Sequence, residues 1–167
     1  MRARARCDAV STAIGQLGIA LMSQHEAEAI ADWRYDPPYD FYDADADHRD
    51  LTELLDPVQR GGKYFSARDA SGELIGFFAF THDDDVAGVG VGLRPDLTGR
   101  GLGRAFLEQG LAFARNRFQP RRFRLGVAAF NERAIKVYER AGFVKTRSFM
   151  HETNGGLFSF VEMERAA

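Results

Sequence analysis

Three glycines at alternate positions, Gly99, Gly101 and Gly103, lie in the run Thr98-Gly99-Arg100-Gly101-Leu102-Gly103-Arg104. Glycine adopts backbone conformations closed to other residues, so such a run lets successive N–H groups converge on one anion. A helix is expected to start here, and its first amides add partial positive charge. The chemistry on offer is binding of a phosphate or pyrophosphate, with Arg100 and Arg104 adding charge at the rim. Two familiar phosphate loops do not fit. A P-loop needs Gly-x4-Gly-Lys and then Ser or Thr, and no such run occurs. A Rossmann loop needs Gly-x-Gly-x-x-Gly directly after a strand. Here Gly101-Leu102-Gly103 is followed by Arg104, Ala105 and Phe106, and a turn at Pro95 precedes it. A glycine-rich turn without a ligand remains the plain alternative.

A second group of residues surrounds Asn131 and Tyr138. Asn131 is a good N-cap for a helix over 132–140. Ala134, Val137, Tyr138 and Ala141 share one face of that helix, so Tyr138 points inward with a polar tip to place. A cap and a core tyrosine would also account for these two residues. A third group is aromatic: Trp33, Tyr35, Tyr39, Phe41 and Tyr42 stand beside Asp36, Asp40 and Asp43, among eight acidic residues between positions 35 and 56. Rings beside carboxylates suit a cationic amine by charge and cation–π attraction. A packed aromatic lid on an acidic loop is the structural alternative.

The elements that must position these groups can be read from periodicity and punctuation. A strand is expected over 16–22, and Ser23-Gln24-His25-Glu26 matches a capping box for a helix running through Trp33 that must stop before Pro37-Pro38. A short helix follows over 48–59, interrupted near Pro57. Strands are expected over 63–68, 73–81 and 86–93, with turns at Asp69-Ala70-Ser71-Gly72 and His82-Asp83-Asp84-Asp85. The glycine loop opens a long helix ending near Phe118, with Leu107, Leu111, Ala114 and Phe118 at helical spacing. A strand over 122–128, the helix after Asn131, Gly142 at its C′ position and a hairpin around Asn154-Gly155-Gly156 complete the order. The expectation is an α+β fold: a twisted mixed sheet of about seven strands flanked by about four helices.

The chain has 167 residues, which suits one domain with a core of its own. Residues 1–15 are expected as a flexible tail and 16–167 as the domain. A net charge of −2 argues against a broad nucleic-acid-binding face. The single cysteine, Cys7, leaves no disulfide framework and no thiolate metal cluster, and points to a reducing, cytoplasmic setting. No apolar run approaches membrane-spanning length, and no apolar signal-peptide region follows the basic start. No metal site is expected.

The segments quoted above resemble the GNAT N-acetyltransferase superfamily. Its loop pattern, Gln/Arg-x-x-Gly-x-Gly/Ala, is matched over 98–103 except that Thr98 stands at the first position. Its second pattern, a strand, then Asn, Ala three residues on, Tyr seven residues on and a terminal Gly-Phe, is matched by Asn131, Ala134, Tyr138, Gly142 and Phe143. The two motifs cover roughly residues 86–144. The resemblance implies the GNAT fold and direct transfer of an acetyl group from acetyl-CoA to an amine, in a ternary complex. It implies that Val91, Gly92 and Leu93 offer backbone groups to the pantetheine arm and acetyl carbonyl. It implies that Gly99, Arg100, Gly101, Leu102, Gly103 and Arg104 hold the CoA pyrophosphate, that Asn131 touches the pantetheine, and that Tyr138 protonates the leaving thiolate. Trp33, Tyr35, Tyr39 and Tyr42 then fall where the family's first helices wall the acceptor pocket, and Gly88, Gly90 and Gly92 leave room for a substrate against the strand. The family forms homodimers in many cases, so one is possible here.

One part of the machinery is missing. An amine attacks a thioester only when neutral, so the site needs a proton acceptor or a water relay. Some members carry a Glu five residues before the motif Asn, where this chain has Gly126; others place an acid where Gly88, Val89 and Gly90 stand. The remaining candidates are His82, Asp83, Asp84, Asp85, His151, Glu152 or water. A protein α-amine as acceptor, a non-catalytic acyl-CoA-binding module and a plain nucleotide-binding module stay open as alternatives.

Overall fold

The computed structural model describes residues 14–167; residues 1–13, which hold Cys7 and nearly all of the expected tail, lie outside the described residues. The elements run β1 (Gly18–Leu21), α1 (Gln24–Ala31), α2 (His48–Leu55), α3 (Pro57–Arg60), β2 (Tyr64–Arg68), β3 (Leu74–Asp83), β4 (Val86–Leu93), α4 (Gly103–Phe118), β5 (Arg122–Ala128), α5 (Glu132–Arg140), β6 (Val144–Thr153) and β7 (Gly156–Ala166). One seven-stranded sheet takes the order β1-β2-β3-β4-β5-β7-β6. Every neighbouring pair is antiparallel except β4 and β5. This is the mixed α+β sheet expected from the sequence, with five helices because Pro57 splits the second. Asp56 accepts the Val58 amide at 2.8 Å and starts a new turn there.

Two boundaries differ from the periodicity. α1 ends at Ala31 with Asp32 at its C-cap, two residues short of Trp33. β3 continues through His82 and Asp83, because the return needs only a tight turn in which Asp84 takes φ 52. The capping box at the start of α1 is complete: the Ser23 hydroxyl accepts the Glu26 amide at 3.2 Å, and Glu26 accepts the Ser23 amide at 2.9 Å. Glu26 also accepts the Ser66 hydroxyl and both the Nε and Nη2 of Arg68, tying α1 to β2. Burial alone would raise this carboxyl's pKa, but Ser66, the Ser23 amide and Arg68 together hold it below its ordinary value.

The register of β3 on β4 decides what each sheet face carries. Phe78 stands opposite Val91 and Phe80 opposite Val89, and these residues face the main core beneath α4 and α5. Phe77, Ala79 and Thr81 stand opposite Gly92, Gly90 and Gly88 on the other face. There Phe77 and Tyr64 join Trp33 in a second cluster with α1 and α2. In the main core Phe78 stacks on Phe106 with centroids 4.6 Å apart. Gly110 of α4 admits the Phe78 ring, since a Cβ at that position would run into it.

That packing yields a test in which two effects compete. Gly110→Ala gains about 1 kcal/mol of helix propensity, but forcing a methyl group into a filled core costs about 1–3 kcal/mol. Because Phe78 is fully buried, packing wins: the urea midpoint is expected to fall, by on the order of 1 kcal/mol net. A more stable variant would show that Phe78 moves aside freely.

Candidate active site

β4 and β5 are parallel neighbours only over Val86–Gly88 and Arg122–Arg124. Beyond Gly88 they part, and the sheet opens into a V. The ladder on the other side of β4 shows where the freed groups point. The Arg94 amide donates to the Ile75 carbonyl at 2.8 Å, so in this antiparallel pair every second residue back from Arg94 bonds to β3. The backbone groups of Val89, Val91 and Leu93 therefore face the gap. A polar chain threaded between the strands would find amides and carbonyls already aimed at it.

At one side of the V lies the glycine loop. Gly99 and Gly101 take φ 71 and 77, values that other residues rarely adopt. Gly103 faces α5, where a Cβ would meet Val137 in ordinary contact at 3.4 Å. The start of α4 is bare: its N-cap is Leu102 and no side chain caps it, whereas Ser23, Asp47, Asp56 and Asn131 cap the other four helices of the described residues. The first amides of α4 are left for an anion. Thr98, at the position where the pattern has Gln or Arg, donates its hydroxyl to the Pro95 carbonyl at 2.7 Å and so holds the turn that feeds the loop. Arg100 and Arg104 are exposed and make no ion pair among the described residues.

α5 closes the other side. Asn131 accepts the Ala134 amide at 3.1 Å, the capping role that its position suggested. Tyr138 is partly buried against the main core, with its ring 6.1 Å from Phe143. Burial pushes its hydroxyl well above the ordinary tyrosine range, and neighbouring Tyr42 adds to the rise, so it stays a neutral O–H donor. Tyr42 crosses from the aromatic segment to accept the Ala128 amide at 3.1 Å, at the end of β5. The Asn131 side chain lies beside that hydroxyl.

The rest of the aromatic segment forms a strap across the open end. The Tyr35 hydroxyl donates to the Leu93 carbonyl at 2.8 Å, and burial together with Asp43 raises its pKa. The Tyr39 ring lies under the Arg133 guanidinium, 3.9 Å from the centroid. Trp33 packs on Phe77 at 6.2 Å. All four sequence-predicted acceptor-side aromatics thus gather at one end of the sheet.

Three expectations change. The glycines of β4 do not open a trough, because Phe77 fills the space over Gly92 and Thr81 that over Gly88. On β5, by contrast, a Cβ added at Gly126 would meet Phe149 at an ordinary 3.5 Å. The acids of the strap mostly hold the strap itself: Asp43 accepts the Tyr35 amide, Asp45 pairs with Arg34 at 2.9 Å and Asp47 caps α2. Finally, His82, Asp83, Asp84 and Asp85 lie at the closed end of the V, where β4 and β5 are still paired. His151 stands at the open end, its ring 4.9 Å from Phe160, which is opposite Ala128. Strand alternation turns Glu152 to the other face.

Residues 26–143 match the model of the Acetyltransferase (GNAT) family. This chain belongs to that family. A mycothiol acetyltransferase of Streptomyces coelicolor is 38% identical over 113 residues, 66% of this chain and 33% of that protein. A second, from Propionibacterium freudenreichii, is 36% identical over 111 residues, 59% of this chain and 32% of that one. The chain spans about a third of the length of the curated relatives it matches. Among solved structures, a chimera of Vibrio cholerae spermidine N-acetyltransferase and hSSAT superposes with a TM-score of 0.74 at 20% identity, over 91% of this chain and 96% of that one. The Vibrio cholerae spermidine N-acetyltransferase in complex with CoA and spermine gives a TM-score of 0.68 at 20% identity, over 90% and 95%. These superpositions show the fold.

The candidate site also takes in residues not singled out from the sequence: Arg133, Ala128 and Phe77. Arg133 carried no separate signal: only the folded first turn of α5 sets it beside the loop, its Nη1 3.6 Å from a Cβ built on Gly99. Ala128 and Phe77 carried no signal, because their importance rests on cross-strand register. Among the described residues no group of three or more His, Cys, Asp or Glu is arranged to hold a metal, and no helix is long and apolar enough to cross a membrane.

The strap's far end is pinned by Asp47, which accepts the Arg49 amide at 2.8 Å, the Asn154 amide at 2.9 Å and the Thr153 hydroxyl at 3.2 Å. The Asn154 amide, then the Arg49 amide, bring its pKa down to about 2. A depressed carboxyl pKa contributes stability that is present above the unfolded value of about 4 and is lost as pH falls toward the folded value. Asp47→Asn should therefore lower the urea midpoint most above pH of about 4, with the gap from wild type closing as pH falls toward about 2. A gap independent of pH would show that the Asp47 charge does not hold this end of the strap.

Proposed function

We propose that this acetyltransferase moves an acetyl group from acetyl-CoA to the amine of a small cationic acceptor, by direct attack while both are bound. The observation that carries the reading is the V between β4 and β5. Outward-facing backbone groups line it, the bare start of α4 lies at one side and the neutral hydroxyl of Tyr138 at the other. The pyrophosphate would be held by the amides after Gly99 through Gly103 with Arg100 and Arg104, and the pantetheine by Val91 and Leu93 beside Asn131; Gly92, expected to join them, turns its backbone groups to β3. The amine nitrogen bonds to the thioester carbon, the carbon–sulfur bond breaks, and the thiolate takes the Tyr138 proton. The gap-facing Leu93 amide would steady the carbonyl oxygen as charge develops on it. The proton lost by the amine passes to water; of the candidate acceptors named from the sequence, His151 stands at the open end.

A small cationic acceptor is supported by the second aromatic cluster of Trp33, Tyr64 and Phe77. Asp50 of α2 stands near it. Burial first, then the neighbouring Asp47 and Glu53, raise the Asp50 pKa, with Arg49 and His151 opposing them. Relatives named for mycothiol and structural neighbours named for spermidine fit a small molecule better than a protein α-amine.

Calorimetric titration of the whole chain with acetyl-CoA, with ATP and NAD as controls, tests the reading first. Selective micromolar binding is expected; equal affinity for ATP would make this a plain nucleotide-binding module. Tyr138→Phe should then lower kcat by on the order of 100-fold with acetyl-CoA affinity nearly unchanged, scored by thiol release over an amine panel. Normal turnover in that variant would remove Tyr138 from the reaction.

A further inference from the structure

An open pocket of about 450 Å³ is lined by Tyr35, Asp36 and Tyr39 of the strap, by Pro95 and Thr98 of the turn that feeds the glycine loop, and by Arg133. Arg133 projects from the first turn of α5. Its guanidinium carbon lies over the Tyr39 ring, 3.9 Å from the centroid. A Cβ built on Gly99 would be 3.6 Å from its Nη1. Among the described residues Arg133 pairs with no carboxylate: Asp96 is taken by Arg94 at 2.6 Å, and Arg34 takes Asp45. Asp36, on the strap side of the same cavity, makes no ion pair among the described residues.

A guanidinium held over a ring, with no carboxylate paired to it among the described residues, has N–H donors left for phosphate oxygens. We infer that Arg133 is a phosphate-binding arm for acetyl-CoA, added to the glycine loop, and that Tyr39 is the positioning residue that holds it there. The inference rests on the acetyl-CoA reading above. Its consequence is that the acceptor-side strap and the phosphate loop share one contact. The same strap meets β4 at Leu93 through Tyr35 and β5 at Ala128 through Tyr42. Ordering the strap therefore orders the arm, and a bound phosphate on Arg133 steadies the wall of the acceptor side.

The test is calorimetric titration of the full chain with acetyl-CoA, its 3′-dephospho form and S-acetylpantetheine, at low and high salt. Arg133→Ala should weaken acetyl-CoA binding about tenfold or more at low salt and flatten its salt dependence. S-acetylpantetheine, which has no phosphate, should bind both proteins alike. Loss of the effect with the dephospho form would assign the arm to the 3′-phosphate; an equal effect would assign it to the pyrophosphate. Arg133→Lys should recover part of the affinity by charge alone. Tyr39→Phe should bind like wild type, whereas Tyr39→Ala should lose about two- to fivefold, and that loss should vanish in the Arg133→Ala background. Arg133→Ala binding acetyl-CoA within about twofold of wild type, or losing the phosphate-free ligand equally, overturns the inference. A Tyr39→Ala loss that persists without Arg133 overturns the role of Tyr39. A wild-type chain that fails to bind acetyl-CoA at all would instead bring down the reading on which both stand.

Discussion

The rest of this structure answers to one constraint: β4 and β5 are paired for three residues and then separate. A sheet that opens in its middle leaves backbone amides and carbonyls without ladder partners. Such groups cost about 1–3 kcal/mol each if buried unpaired. Water, a ligand or a side chain must meet them. Here two tyrosine hydroxyls from one segment reach one arm each, Tyr35 at Leu93 and Tyr42 at Ala128. The split that makes a cleft possible thus also dictates that something polar and rigid must come to its mouth. A tyrosine supplies both properties, with little side-chain entropy to lose.

The strap can do this because its own geometry is fixed by charges that at first suggest a substrate. Asp43 on the Tyr35 amide, Asp45 on Arg34 and Asp47 on the β6–β7 turn hold a stretch with little regular structure in one shape. Phe41 fastens it further, packing edge-on against Phe130 and Phe158 at 5.3 and 5.0 Å. An acidic run read as a field for a cation is thus, for most of its members, a set of caps and ties. Whether a carboxylate serves the fold or a ligand is decided by its nearest N–H group, which composition does not report.

The same distinction explains what was legible in the sequence. Periodicity and punctuation gave the seven strands and the capped helices, because those signals are local: Ser23 with Glu26, Asn131 with Ala134, Gly142 at φ 88. The glycine loop and the inward Tyr138 were equally local. What escaped were facts of register and approach. Phe77 covers Gly92, and Thr81 covers Gly88, because β3 returns beside β4 in one alignment and not its neighbour. A slip of one residue would exchange the faces. His82 and the aspartates beside it failed as site candidates for a topological reason: they cap the end of β4 at which β5 is still its neighbour. Arg133 was hidden between two motif residues, since only the folded turn of α5 sets it against the loop.

The start of α4 shows how far a site of this kind departs from what stability alone would select. Four helices meet the needs of their first amides with Ser, Asp or Asn. α4 is the longest of the five at 16 residues, so its end carries a fully developed dipole. A capping oxygen there would be worth about 1 kcal/mol. Instead the position holds Leu102, buried at 8% exposure, and the preceding loop places two glycines in left-handed conformations. Leu102 recovers free energy by burial, which costs the amides nothing of their direction. The end of α4 is thus anchored by a side chain that cannot satisfy it, and the unmet hydrogen-bonding capacity is kept pointing into the same opening that β4 and β5 create. Two independent deficits, one in a sheet and one in a helix, lie on neighbouring elements, and a ligand with both amide-like and anionic parts would answer them together.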